Sequence, residues 1–288
     1  LKQLDQINWA ELEHAYGSAE NVPGLLRQLA SPDQEGRADA IYQLYGTIWH
    51  QGTVYQASAY AVPCLLELLQ ADSPADKAEL LMLLWHLANG HSYLDVHQHL
   101  DIVHDSYQKE FQSAKWQAQL AQELEYVRLT REAVVAGIPI YRELLHSAER
   151  EERMLSAYLL GDLSRSHASV QHVMRERLTH EPDPHVQATL LLALGQSKAL
   201  EQPILETLHS WLARSEQPLL GWAAAMALSL QLAEQTPPAA STRLLAALNQ
   251  LEQLSEAYQE LAWAEDDLLE RTLAACLHFR PPTPTRSD

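Results

Sequence analysis

Residues 62–90 read VPCLLELLQADSPADKAELLMLLWHLANG, one complete helix, turn and helix. Pro63 lacks the N–H that the first turn of a helix leaves unpaired, so it predicts a helix start. Leu65, Leu66, Leu68 and Leu69 then give that helix an apolar stripe. Asp72 or Ser73, with Pro74 behind, predicts the cap and first turn of the next helix. In that second helix Leu80, Leu81, Leu83, Leu84 and Leu87 leave almost no polar face. Such a helix must be covered on both sides, which one hairpin cannot do and a stack of hairpins can.

Working upstream, residues 22–46 repeat the pattern, with Ser31-Pro32-Asp33 as the turn; Val22-Pro23 and Val62-Pro63 lie 40 residues apart, a repeat period. Residues 4–16, with Leu4, Ile7, Leu12 and Ala15 on helical spacing before Gly17-Ser18, predict a terminal cap helix. Downstream, the next start of this kind, Ile138-Pro139, comes 76 residues after the second. Residues 91–129 therefore read as an insertion or a degenerate repeat, the insertion being favoured. Phe111, Ala114, Ala118, Ala121, Leu124 and Val127 predict a long amphipathic helix in its second half, over residues 108–129.

From residue 138 the units shorten, closing at Gly161 and Gly195, 34 residues apart. Asp183-Pro184 is an N-cap and N1 pair. Residues 219–230 are apolar on every face and therefore central. Residues 243–254 and 266–279 predict the last helices, and residues 281–288 a disordered Pro-rich tail. Leu and Ala dominate the apolar runs, so the chain reads as all-α: a right-handed α-solenoid of about five to six helical pairs with one inserted helical segment. It is taken as a single repeat domain over residues 1–288: cap 1–20, repeats 21–90, insertion 91–129, further repeats 130–280 and tail.

The unit resembles the HEAT family, in particular the short bacterial HEAT-like repeats that also occur in phycobilin lyases. The match lies at Val22-Pro23, Val62-Pro63 and Ile138-Pro139 for first helices, and at residues 153–161 (RMLSAYLLG) and 183–195 (DPHVQATLLLALG) for second helices. These are core and cap positions and specify architecture, not activity. The resemblance implies that second helices line a concave surface holding a partner, with Trp49, His50, Trp85 and His86 near one rim. HEAT-like DNA glycosylases use a basic concave face, and second helices such as AELLMLLWHLANG offer almost no Lys or Arg. A bilin lyase needs a chromophore cleft, for which no residue motif is present.

The net charge of −18 argues against nucleic acid and anionic membrane, and suits a basic protein partner; acidity for solubility alone is the plainer alternative. The two cysteines, Cys64 and Cys276, sit in apolar helical patterns and read as reduced and buried. No apolar run approaches the roughly 20 residues that span a bilayer, and residues 1–9 carry no signal segment, so a cytoplasmic location is expected; the chain begins without Met, which leaves open what precedes Leu1.

Two groups of residues carry candidate chemistry. Trp49, His50 and Tyr55 flank Gly52 in a connection longer and more aromatic than a repeat requires, and with Trp85, His86 and Tyr93 they form the candidate partner-binding set. The alternative is that Trp49 and Tyr55 simply pack between hairpins. Secondly, His86, His91, His97, His99 and His104 fall within nineteen residues, with Asp95, Asp101 and Asp105 among them. If this stretch is helical, His97, Asp101 and His104 share a face at i, i+4 and i+7, a candidate divalent-metal set; hydrogen bonding to backbone is the structural alternative. No nucleophile elbow, phosphate loop or zinc-finger pair occurs. The expected function is a non-enzymatic protein-interaction scaffold or immunity-type binding protein with no cofactor. The alternatives are a metal-dependent enzyme built on the insertion, or a lyase-like protein binding a small chromophore.

Overall fold

The computed structural model describes residues 1–98, 111–198, 201–214, 216–262 and 267–277. The protein is all-α and built from helical repeats; among the described residues the strands form two β-hairpins, each of two two-residue strands. It divides into two compact units, Leu1–Ile140 and Tyr141–Asp288.

The first unit opens differently from the predicted cap helix. Residues 4–16 form two single 3-10 turns, Leu4–Gln6 and Trp9–Glu11, and the first strand of a hairpin, β1 (Glu13–His14) with β2 (Gly17–Ser18). The buried Trp9 ring donates to the Leu4 carbonyl at 2.9 Å, and Ala15 N–H to Thr47 O at 3.1 Å. Those tertiary anchors outweigh a periodicity too short to hold a helix by itself. Leu4 and Leu12 are buried as predicted.

Helices α1 (Val22–Gln28) and α2 (Gln34–Thr47) make the first pair, with Pro23 in the first turn of α1. A second hairpin, β3 (Trp49–His50) with β4 (Thr53–Val54), turns through Gln51 and Gly52, both at positive φ. Next come α3 (Gln56–Gln70) and α4 (Lys77–Ala88). Here the predicted start is corrected: Pro63 lies inside α3, not at its first turn. Ser58 Oγ accepts from Tyr55 N–H at 2.8 Å and donates to the Ile48 carbonyl, which fixes the helix start seven residues upstream of Pro63. The α4 cap is Asp76, which accepts from Ala78 and Glu79 N–H, in place of Asp72 or Ser73. The all-round apolar reading of α4 holds: Leu80, Leu81, Leu83, Leu84 and Leu87 are all buried.

After the short α5 (Tyr93–Gln98), the long predicted helix is present as α6 (Ala114–Val135), packed along α3 and α4. Its inward face is not the predicted one. Leu120, Thr130 and Val134 are buried, while Ala114, Ala118, Ala121 and Leu124 are exposed. Small alanines and larger apolar residues fall on both sides of this helix, so periodicity alone chose the wrong side. α7 (Ile138–Leu144) follows, with Pro139 in its first turn, across the division between the units.

The second unit stacks α8 (Arg150–Leu163), α10 (Pro184–Gly195) and α12 (Pro218–Leu232) in succession. The helices α9 (Ser169–His180) and α11 (Gln202–Arg214) lie between them in sequence. Asp183 caps α10 through His185 and Val186 N–H. Leu219 to Ser229 are all buried, so α12 is the centre of this core. Gly161 lies within α8 and does not close it; its role is close approach. A Cβ there would sit 2.8 Å from Ala193 Cα, and one on Gly195 would sit 2.6 Å from Ala227 Cα. The predicted 243–254 helix is divided into α13 (Pro238–Leu248) and α14 (Leu251–Tyr258), and α15 (Leu268–Leu277) is the last described helix. Among the described residues no helix is long and apolar enough to cross a membrane.

Candidate functional site

Hairpin β3–β4 positions the aromatic residues. Gln51 and Gly52 supply the two positive-φ positions that a tight two-residue hairpin needs. The hairpin is tied down by Val54 N–H to His91 O at 3.0 Å and His91 N–H to Gly52 O at 2.8 Å. Gly90 permits this approach, since a Cβ there would meet Val54 Cγ1 at 2.3 Å. From α6, the Glu123 carboxylate accepts from Ser92 Oγ at 2.8 Å and Leu94 N–H at 2.9 Å, fixing the residues on either side of Tyr93.

These ties divide the six aromatic candidates into two groups. Trp49, Trp85 and His86 cluster with Tyr45: the His86 ring lies 4.7 Å from Trp49, 5.0 Å from Trp85 and 5.5 Å from Tyr45. Trp49 thus packs between α2 and α4, half-buried. His50, Tyr55 and Tyr93 instead line an open cleft of about 750 Å3, which hairpin β1–β2 and the polar face of α6 complete. Tyr16, 71% exposed, stands edge-on to His50 at 5.3 Å and forms a lip shared with a shallower depression of about 570 Å3 beside Tyr42 and Tyr45.

Most of the cleft's other wall escaped the sequence reading. Glu13, His14 and Tyr16 lie in the segment read as a helix. Lys115, Gln119, Gln122, Glu123 and Tyr126 lie on the α6 face beside the predicted apolar row, with Ala118 of that row at the shared edge. A signal was present: positions 115, 119, 122 and 126 repeat at helical spacing and carry long polar or aromatic side chains.

The cleft's chemistry is that of a contact surface. His14 Nδ1 accepts Tyr16 N–H at 3.0 Å, so the proton sits on Nε2, 2.9 Å from Asn21 Oδ1, and both ring nitrogens are used in holding hairpin β1–β2. Burial pushes the Tyr55 phenol up against the opposing pull of the Thr53 hydroxyl, and the Glu123 charge adds to the rise. Burial likewise raises Tyr126, with Glu13 and Glu123 adding to it. Both phenols therefore stay neutral well above neutral pH and remain hydrogen-bonding groups.

Of the metal candidates, His97 is described. Its ring stacks on Tyr93 at 3.9 Å and its Nδ1–H donates to the Tyr93 carbonyl at 2.8 Å, which leaves Nε2 as the nitrogen a metal would take. Asp101 and His104 lie outside the described residues, and among those described no group of three His, Cys, Asp or Glu side chains is placed to hold a metal ion.

No family model and no curated protein sequence matches the chain. Among solved structures it is similar to two engineered proteins. One is 16% identical, covering 90% of this chain and 98% of that one with a TM-score of 0.47; the other is 17% identical, covering 90% and 94% with a TM-score of 0.47. It is also similar to a designed armadillo repeat protein in complex with the peptide (KR)4, at 15% identity, 91% and 100% coverage and a TM-score of 0.49. The order and pairing of its own helices place the chain in the class of all-α helical-repeat proteins. Likenesses of this size leave the function to be read from the site itself.

Proposed function

We infer that this is a non-enzymatic binding protein of HEAT-like repeats that holds a segment of a partner protein in the cleft between hairpins β1–β2 and β3–β4 and helix α6. The observation that carries this is the exposure of large aromatic side chains around a concave site: Tyr16 is 71% and Tyr93 48% exposed, where rings of this size are normally covered. The lining alternates phenols, amides and carboxylates, which suits the backbone and side chains of an extended segment. The net charge of −18 supports a basic partner, and an inhibitor that neutralises a basic effector is the narrower form of the proposal.

The test is selection of a displayed random-peptide library on the immobilised full chain, repeated on Ala118→Trp. Ala118 is exposed and lines the cleft, so the substitution fills the site without disturbing the core. Enriched peptides that lose binding to Ala118→Trp are expected. Peptides that bind both proteins equally, or no enrichment, would overturn the proposal.

A further inference from the structure

The cleft is not electrically neutral. Its acidic and basic side chains besides histidine are Glu13, Glu123 and Lys115. Glu123 is engaged by Ser92 and Leu94. Glu13 is different: its backbone N–H is held by Gln56 at 3.2 Å, but its exposed carboxylate has no hydrogen-bond or ion-pair partner among the described residues. Around these carboxylates stand the rings of Tyr16, Tyr55, Tyr93 and Tyr126. Aromatic faces carry negative charge density and attract cations. Within Leu1–Ile140 as a whole, 18 acidic residues outnumber 8 basic ones, so the wider field has the same sign.

An anionic side chain would be repelled by Glu13, and a neutral donor would gain a hydrogen bond without the charge. An ammonium would gain the charge, a single hydrogen bond and attraction to the ring faces, whereas a guanidinium adds flat faces for stacking and a fork that matches a carboxylate in two bonds. The geometry points to an arginine side chain of the partner segment as the group this cleft recognises, with the Glu13 carboxylate as its ion-pair acceptor and the surrounding phenol rings as its stacking walls. The inference rests on the cleft being the binding site proposed above. Lys115 then acts against the ligand, as the cation that an incoming arginine must tolerate.

The probe is a set of blocked peptides, Gly-Ser-X-Ser-Gly with X as arginine, lysine or citrulline, titrated into the full chain and followed by NMR of the tyrosine rings. The arginine peptide is expected to saturate, the lysine peptide to bind about fivefold more weakly, and the uncharged citrulline peptide to show no saturable binding. Glu13→Gln should weaken the arginine peptide about tenfold and Lys115→Gln should tighten it about threefold; both side chains are exposed, so folding is not at stake. Equal binding of the arginine and lysine peptides, or indifference to Glu13→Gln, would overturn the inference as mere attraction to an acidic protein. Selected peptides that depend on the cleft but show no arginine preference would sink the inference and leave the binding site standing. If no peptide of any composition is held there, both fall.

Discussion

The two units use the same helical turn and do opposite things with what lies between turns. In each, an arginine four residues into a second helix donates to two carbonyls of the preceding turn: Arg37 to Ser31 and Pro32 at 2.8 and 3.0 Å, Arg153 to Ser147 and Ala148 at 3.1 and 2.9 Å. In Tyr141–Asp288 the next pair follows at once. Layers close glycine to alanine, the Ser164 and Ser197 hydroxyls meet at 2.8 Å, and Gln231 reaches the Gly195 and Ser197 carbonyls. In Leu1–Ile140 hairpins stand between or before the pairs, and aromatic side chains face a cleft. Connection length, and not helix chemistry, separates a unit that closes on itself from one that leaves a surface open.

The largest expected effect lies in the closed unit. Glu181 is fully buried, accepting from Arg153 at 3.1 and 3.2 Å and from Arg177, while the partners of Arg37 in the open unit among the described residues are two carbonyls. Glu181→Ala would leave two guanidiniums without their acceptor and is expected to cost about 3–5 kcal/mol, read as lost hydrogen-exchange protection in α12. Arg37→Ala should cost about 1–2 kcal/mol. Equal costs would break the contrast. Burial alone would raise the Glu181 carboxyl, but the Arg153 and Arg177 hydrogen bonds and the Asp183 N–H hold it below the usual carboxylate range. The folded value lies below the unfolded one, so this stability is fully present above about pH 4.3 and is lost as pH falls through the folded pKa. Glu181→Gln should remove that acid-side loss.

Glycines sharpen the same comparison. Gly195→Ala and Gly161→Ala put a methyl against the backbone of the next layer and should destabilise by about 1–3 kcal/mol. Gly24 and Gly46, in α1 and α2, have nothing within 4 Å of where a Cβ would stand and no positive φ. Alanine at either should stabilise by up to about 1 kcal/mol through helix propensity. Urea unfolding of the four variants checks the opposite signs.

What could be read from the chain follows the same division. The closed unit is largely legible, because the Asp183-Pro184 cap and the apolar rows of its helices are local signals, although Gly161, which reads as a helix end, is a layer contact inside α8. The open unit is not. Pro63 looked like a helix start because nothing in its own neighbourhood shows Ser58 binding the Ile48 carbonyl. The α6 face was misassigned because Leu120, Thr130 and Val134 are a sparse apolar row beside a richer one that faces outward. His50, Tyr55 and Tyr93 stand out as aromatic residues in odd places, and Tyr126 belongs to a polar row at helical spacing; Glu13 and Tyr16 join them only through long-range pairing that no local pattern encodes.

Between these effects and the smallest lies Gly52→Ala. At φ +89° beside Gln51 at +48°, it should cost about 1–2 kcal/mol and disorder the hairpin that places His50 and Tyr55. Thermal melts would show the first, and weakened retention of cleft-selected peptides the second.

The smallest effect on stability is the one that best separates the two kinds of unit. Tyr16 is 71% exposed, and its backbone N–H, not its ring, holds His14. Tyr16→Ala should therefore change stability by no more than about 0.5 kcal/mol. The same truncation removes the lip shared by the cleft and the neighbouring depression, and should weaken cleft-selected peptides about tenfold. A ring kept for packing would show the reverse, a clear loss of stability with unchanged binding. In the closed unit the matching substitution of a large aromatic, Trp222→Ala, removes a fully buried ring bonded to Thr272 at 3.0 Å and costs about 3–5 kcal/mol. The second unit buries Tyr141, Tyr158, Trp222 and Tyr258, whereas Tyr16 stands in solvent, so the pair of truncations separates a ring that holds the core from one that can act only on what enters the cleft.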